Sequence, residues 1–347
     1  MKIQGQSFGR AFLAPWAAAL MLVATFAASA YGEKVKFSLD WIAYAKHAGF
    51  FVALDKGHYR KAGLEVTIER GYGSPNTTAK VGSKAVDFGY ADPSSNLLGR
   101  AQGMKVVNVA LIHGRGLQCV LALKSSGIKT AKDLRGRRLG VTFGDALHST
   151  FQAFADANGI KTWEYVGMRP AAKNPSLLAK KVDAILTYRS VAPALLVGAR
   201  KQGDEIVALL YGDYGVNLPS DGITVRDDYL KANPDLVRRF VKATLQGWAW
   251  GIPRSRHEAA VDIFRKSYPT SSKKLGMAQW GVSVEHTVTK SALDKGLGYI
   301  PPEQMDYTYR IITKAFKKIF EKGTPVKMTD VYTNDYLPRP PIMIKQP

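Results

Sequence analysis

Val35 to Phe51 reads VKFSLDWIAYAKHAGFF, and the fold of the chain is decided by how this stretch divides. Val35, Phe37 and Leu39 alternate with Lys36, Ser38 and Asp40, the period of two of a half-buried strand. From His47 onward Ala48, Phe51, Val52 and Leu54 recur at helical spacing, so Asp40 to His47 is the turn between a strand and a helix. In an open α/β sheet such turns lie at the carboxyl edge of the strands, where ligands bind. Asp40, Trp41, Tyr44 and His47 are therefore candidate ligand contacts: Trp41 offers a flat π face, and Asp40 and His47 can exchange hydrogen bonds. The alternative is that Trp41 is core and Asp40 caps the helix.

The pattern repeats along the chain. Leu64 to Ile68 alternates as a second strand and leads into Gly71-Tyr72-Gly73-Ser74-Pro75, where Ser74 as N-cap with Pro75 behind it predicts a helix start. Lys84 to Tyr90 predicts a third strand, and Ala91-Asp92-Pro93-Ser94 a third strand-end turn. Gly73, Ser74, Tyr90, Asp92 and Ser94 join the candidate set, because parallel strands bring such turns to one crevice. Met104 to Leu111 and Cys119 to Leu123 predict two more strands, with Arg115 between them facing an anion or a surface acid. A second α/β rhythm begins near Ile128, with strands at Arg138 to Val141, Lys181 to Tyr188 and Ile206 to Tyr211. Its strand-end candidates are Phe143, Gly144, Ser149, Tyr188 and Arg189, with Tyr214 after the last strand. The strand Gly222 to Val225 then leads to amphipathic helices over Pro234 to Trp250, His257 to Tyr268 and Pro302 to Phe320, expected to pack back on the first lobe. The expected domains are residues 31–121 with 222–347 as a discontinuous first lobe, 122–221 as the second, and two crossings forming a hinge.

Residues 1–30 read as a cleaved export signal. Lys2 and Arg10 precede and enter an apolar run that ends in Ala28-Ser29-Ala30, and Pro15 interrupts a run already short for a membrane span. Loss of this segment takes the formal charge from +21 to +19 and leaves about 317 residues, enough for two cores. Cys119 is the single cysteine, which excludes an internal disulfide and a cysteine metal cluster. The basic charge names no partner: there is no zinc-finger spacing, RNA-binding signature or interleaving of aromatic and basic residues. Nor is there an HExxH, a P-loop or a recognisable Ser/His/Asp motif.

Several fragments taken together resemble the solute-binding proteins of ABC importers, in the branch called NMT1/THI5-like. They are Leu39-Asp40-Trp41 with His47-Ala48-Gly49, Lys56-Gly57-His58-Tyr59, Ala62-Gly63-Leu64-Glu65-Val66, Val86-Asp87-Phe88-Gly89, Lys132-Asp133-Leu134-Arg135-Gly136 with Leu139-Gly140-Val141, and Lys181-Val182-Asp183-Ala184. The resemblance implies a type II periplasmic binding protein: an α/β fold of two lobes, each with a central, mostly parallel sheet flanked by helices. It implies a monomer that closes on a small solute without a cofactor, nucleic acid or metal, and delivers it to an inner-membrane permease and its ATPase. Solutes of the wider family include the pyrimidine precursor of thiamine, riboflavin, sulfonates and nitrate-like anions. The tryptophan of the Asp-Trp pair favours a planar nitrogen heterocycle such as the thiamine-precursor pyrimidine, with a small anion as the alternative. Pyrimidine-binding relatives carry Pro-Asn where this chain has Ala43 and Tyr44. Fungal relatives synthesise that pyrimidine using a histidine of their own chain, and His47 stands at the matching place; they also carry a cysteine-rich motif that this chain lacks. The expectation is a binding protein and not an enzyme.

Overall fold

A computed structural model describes residues 32–143 and 145–346, together with Met1. The export signal expected over residues 1–30, and Gly144, lie outside the described residues. Helices of eight or more residues are numbered here.

The sequence period of two sets the first strand, β1 (Glu33–Ser38), with Val35 and Phe37 turned into the core. After the turn and one 3-10 turn at Ala45–His47 comes α1 (Ala48–Asp55). β2 (Leu64–Glu69), α2 (Ser74–Gly82), β3 (Phe88–Ala91), α3 (Pro93–Ala101) and β4 (Val106–Leu111) continue the alternation. β5 (Gln118–Leu123), β6 (Arg138–Val141), α4 (Ala146–Ala157), β7 (Glu164–Gly167), α5 (Pro170–Leu178), β8 (Ala184–Tyr188), α6 (Ala192–Arg200) and β9 (Ile206–Leu210) build the second lobe. The chain returns through β10 (Gly222–Arg226) and ends in helices including α7 (Pro234–Gly251), α8 (His257–Ser267), α9 (Lys273–Thr287) and α10 (Pro302–Ala315).

The two sheets have the orders β2-β1-β3-β10-β4 and β7-β6-β8-β5-β9. Each is mixed. β10 runs antiparallel to β3 and β4, and β5 antiparallel to β8 and β9, while the other pairings are parallel. The strands that enter from the opposite lobe are thus the antiparallel ones. Because β5 belongs to the second sheet, the first crossing lies between Leu111 and Gln118, ahead of residue 122 where the sequence pattern put it. The two crossing segments bind each other: Ile112 and His113 N–H both donate to Asp221 O, at 3.0 and 3.1 Å, and Ser220 N–H donates to His113 O at 2.9 Å. A Cβ on Gly116 would stand 2.3 Å from Leu218 O, so only glycine permits this approach.

The first lobe packs Phe37, Phe50, Phe88, Phe240, Trp248 and Trp280 into one core, with the Phe88 and Phe240 rings stacked 3.9 Å apart. Each such ring contributes roughly 1.5–3 kcal/mol by leaving water. The second sheet carries a core on each face, one around Phe151 and Phe154, the other around Leu121 and Ile185. The expectation that the C-terminal helices rest on the first lobe needs one amendment. Tyr307 and Ile311 of α10 pack on the second core, and Tyr307 Oη donates to Gly215 O at 2.9 Å.

Candidate functional site

The turns after β1, β2 and β3 meet at one sheet edge, as their parallel pairing requires. The first two are bound together by Gly73 N–H to Asp40 O at 2.7 Å and Gly71 N–H to Trp41 O at 3.1 Å. A Cβ on Gly71 would lie 2.0 Å from Leu39 O, which is why the second turn needs glycine there. α2 has Gly73 as its N-cap and Ser74 at its first position, so it starts one residue earlier than Ser74-Pro75 suggested. Trp41 is half-buried, neither sealed in the core nor wholly exposed.

Behind these turns lies a buried charge network. Lys46 Nζ donates to Asp40 Oδ2 at 2.6 Å and to Asp221 Oδ2 at 2.9 Å, and His47 Nε2 lies 2.6 Å from Asp40 Oδ1. Asp40 is 6% exposed, and Lys46, His47 and Asp221 essentially 0–1%. Asp40 thus does not cap a helix; it is shared between a lysine and a histidine. Burial opposes charge on Lys46, but Asp221 and Asp40 outweigh it and hold the ammonium well above its ordinary range. Burial likewise opposes charge on Asp221, and Lys46 with His113 reverses that and holds the carboxyl well below the usual range. Desolvation pushes His47 and His113 down. The rings of Tyr90, Tyr188 and Tyr44 stand 5.2, 5.8 and 5.9 Å from Lys46 Nζ, an aromatic wall around a cation.

Asp92 is wholly buried at the start of α3, yet its side chain does not cap that helix. Its Oδ2 accepts from Tyr188 Oη at 2.6 Å, and Oδ1 has no partner; Ser94 Oγ and Ser95 Oγ are also buried without one. Burial, reinforced by the Asp221 charge, raises the Asp92 carboxyl well above its ordinary range. The Tyr188–Asp92 bond joins the lobes, and so does Tyr44 Oη to Ser190 Oγ at 2.8 Å. Burial raises the Tyr44 hydroxyl to about 12.

The remaining candidates scatter. Arg189 follows Tyr188 and is half-buried. Phe143 is 60% exposed, its ring lying over Gly167 on the edge strand β7. Ser149 falls in α4. Arg115 is a half-exposed surface pair after all, bound to Asp213 and Glu285 at 3.0 Å each, which ties the second lobe to α9. Tyr214 packs on Phe154 at the back of the second core, with centroids 5.7 Å apart.

The family model described as NMT1/THI5 like matches residues 44–255. The chain belongs to the NMT1/THI5-like family. Among curated relatives of this NMT1/THI5-like chain, the riboflavin-binding protein RibY of Chloroflexus aurantiacus is 26% identical over 324 residues, covering 88% of this chain and 86% of the relative. The 4-amino-5-hydroxymethyl-2-methylpyrimidine phosphate synthase of Schizosaccharomyces pombe is 31% identical over 255 residues, covering 69% and 68%. Among solved structures, the alkanesulfonate-binding protein SsuA of Xanthomonas axonopodis pv. citri, bound to MOPS, superposes with a TM-score of 0.67 at 14% identity, covering 88% of this chain and 99% of its own. The nitrate-binding protein NrtA of Synechocystis PCC 6803 gives 0.61 at 14%, covering 88% and 87%. These likenesses show the two-lobed periplasmic-binding-protein fold.

In this NMT1/THI5-like chain three central residues escape sequence reading: Lys46, His113 and Asp221. The signal for the last two was positional, since His113 follows β4 closely and Asp221 immediately precedes β10. Once β10 is antiparallel, the start of β10 lies at the edge where the parallel strands end. The network also contains the connectivity of a hydrolase triad, with His113 Nε2 2.9 Å from Ser283 Oγ and Nδ1 3.2 Å from Asp221 Oδ2. Its serine hydroxyl is turned elsewhere: Ser283 Oγ donates to Lys46 O at 3.0 Å, while His113 Nδ1 is shared between Asp221 and Tyr90 Oη, the latter 2.8 Å away. Ser283, His113 and Asp221 are all fully buried.

Proposed function

We propose that this chain is the periplasmic solute-binding component of an ABC importer, and that its lobes close on a planar nitrogen heterocycle of the thiamine-precursor pyrimidine type. The observation that carries the reading is the Asp92-Ser94-Ser95 turn, whose buried polar atoms lack partners at the surface where the lobes meet. Lys46, the cation beside it, is neutralised from both sides by Asp40 and Asp221. Such a site favours a solute that brings hydrogen-bond donors, and the tyrosines round Lys46 with half-buried Trp41 supply flat faces. The binding roles named for RibY, SsuA and NrtA, and the export signal expected from the sequence of residues 1–30, support import. Arg189 supports the second reading, a small anion, because it is the cation that the second lobe carries next to Tyr188.

The synthase named for the Schizosaccharomyces pombe relative does not transfer on this geometry. His47 is fully buried and 2.6 Å from Asp40, and Cys119 is buried with its thiol raised to about 12 by desolvation. The test is isothermal titration with 4-amino-5-hydroxymethyl-2-methylpyrimidine, riboflavin, MOPS and nitrate, with random DNA as a control. Micromolar binding of the pyrimidine or the flavin alone is expected. Selective binding of MOPS or nitrate would replace this solute class, and a change in the covalent structure of the bound molecule would overturn the non-enzymatic role.

A further inference from the structure

The carboxylate of Asp92 is relieved of the task that its position normally gives it. An aspartate just before the first turn of a helix ordinarily accepts backbone N–H bonds, yet here the side chain makes no capping bond and reaches across to the other lobe. One oxygen is held by Tyr188 at 2.6 Å, while the other, with Ser94 Oγ and Ser95 Oγ, is buried with no partner. Buried polar atoms without partners are costly and uncommon, and three on one turn call for a group that satisfies them. A buried carboxyl flanked by two hydroxyls matches an edge that sets an N–H donor beside a ring nitrogen, as an aminopyrimidine or amidine-like edge does wherever the shared proton sits, and offers a poor fit to a sulfonate. The partner that Asp92 does have is a phenol from the same chain. Tyr188 therefore stands where a donor of the solute would stand, and a solute that uses both carboxylate oxygens must first displace it.

Resting on the binding-protein reading above, we propose that Asp92 is the specificity-determining residue of the cleft, that the solute presents an N–H donor edge to it, and that Tyr188 is a built-in competitor that holds Asp92 and latches the lobes while the cleft is empty. Solute binding exchanges the Tyr188 bond for bonds from the solute. The Tyr44–Ser190 bond, which involves no carboxylate, remains as the second tie between the lobes.

The test uses the full mature chain and two probes of closely similar shape, 4-amino-2-methylpyrimidine and 4-methoxy-2-methylpyrimidine, in which an ether oxygen that can only accept replaces the amino donor. Wild type is expected to prefer the amino probe. Tyr188→Phe keeps the ring and loses the competing hydroxyl, so it should bind the amino probe up to about tenfold more tightly, the worth of one buried hydrogen bond. Without ligand it should scatter X-rays with a larger radius of gyration than wild type. Asp92→Asn, whose amide offers a donor in place of an acceptor, should shift the preference at least tenfold toward the methoxy probe. That shift is one that loss of folding cannot produce. An unchanged probe ratio in Asp92→Asn refutes the specificity role, and Tyr188→Phe with wild-type affinity and dimensions refutes the latch. If wild type binds neither probe but titrates with another solute of the panel, the donor-edge class is wrong while the binding-protein reading stands.

Discussion

Replacing Lys46 by methionine removes the charge that two buried aspartates share while keeping most of the side-chain volume. Asp40 retains His47 at 2.6 Å, so the group that loses its main counter-charge is Asp221, fully buried, with one oxygen already unpartnered and the other left with only the longer 3.2 Å contact to His113. The protein escapes the cost of a buried bare carboxylate by protonating it. With an ordinary carboxyl value near 3.9, that costs about 4 kcal/mol at pH 7 and about 1.4 kcal/mol less for each unit of acidification. The same figure falls in the range of about 3–5 kcal/mol found when one partner of a buried ion pair is deleted. Urea unfolding of wild type and Lys46→Met should therefore differ by about 4 kcal/mol at pH 7 and by about 1.5 kcal/mol at pH 5, at unchanged slope. Adding Asp221→Asn to Lys46→Met should restore most of the loss at pH 7. A difference below about 1 kcal/mol at pH 7, or one that does not shrink on acidification, would refute the claim that Lys46 is the counter-charge of Asp221.

Trp41→Ala should weaken solute binding by about 1–3 kcal/mol while changing unfolding by under about 1 kcal/mol, because the ring is half-buried and placed to stack; titration and urea curves on the same sample separate the two. Burial holds His47, His113 and His286 below the ordinary imidazole range, His286 at about 3. The unfolded chain takes up these protons near pH 6.5 and the folded one resists them, so their stabilisation is complete above pH 6.5 and is lost as the pH falls. His286 alone should cost about 1 kcal/mol between pH 6 and 5, which His286→Gln should remove from the pH dependence of unfolding. A Cβ at Gly49 would stand 2.5 Å from the Trp248 ring, so Gly49→Leu should cost at least about 3 kcal/mol by urea titration; a loss under about 1 kcal/mol would mean that α1 and α7 are not packed this closely.

Much of the fold is legible because β1 and β2 alternate buried and exposed residues, and because Gly and Pro mark the turns behind them. The crossing strands are less so. β5 and β10 are buried on both faces and carry no alternation, so nothing local shows that they run against their neighbours or which sheet β5 joins. β7 is four residues at a sheet edge, two exposed and two half-buried, too short for a pattern. α9 touches the 3-10 turn at Lys46 and also α6 and Ser190 of the second lobe, so polar Gln279, Ser283 and His286 are buried among its apolar residues and no single apolar stripe appears. The candidate site divides in the same way. Asp40, His47, Tyr90, Asp92 and Tyr188 could be found at strand ends, where the rule for parallel sheets looks. Lys46 is a charge inside an apolar run, and Asp221 and His113 acquire their meaning only when two distant segments pair.

The account is tested most directly by a crystal structure grown with whichever solute titrates most tightly. It predicts one molecule between the lobes, its donors on Asp92 and its ring against the tyrosines or Trp41, with the Tyr188–Asp92 bond replaced. Density on an outer face, or in the cleft with the Asp92, Ser94 and Ser95 side chains untouched, would contradict it.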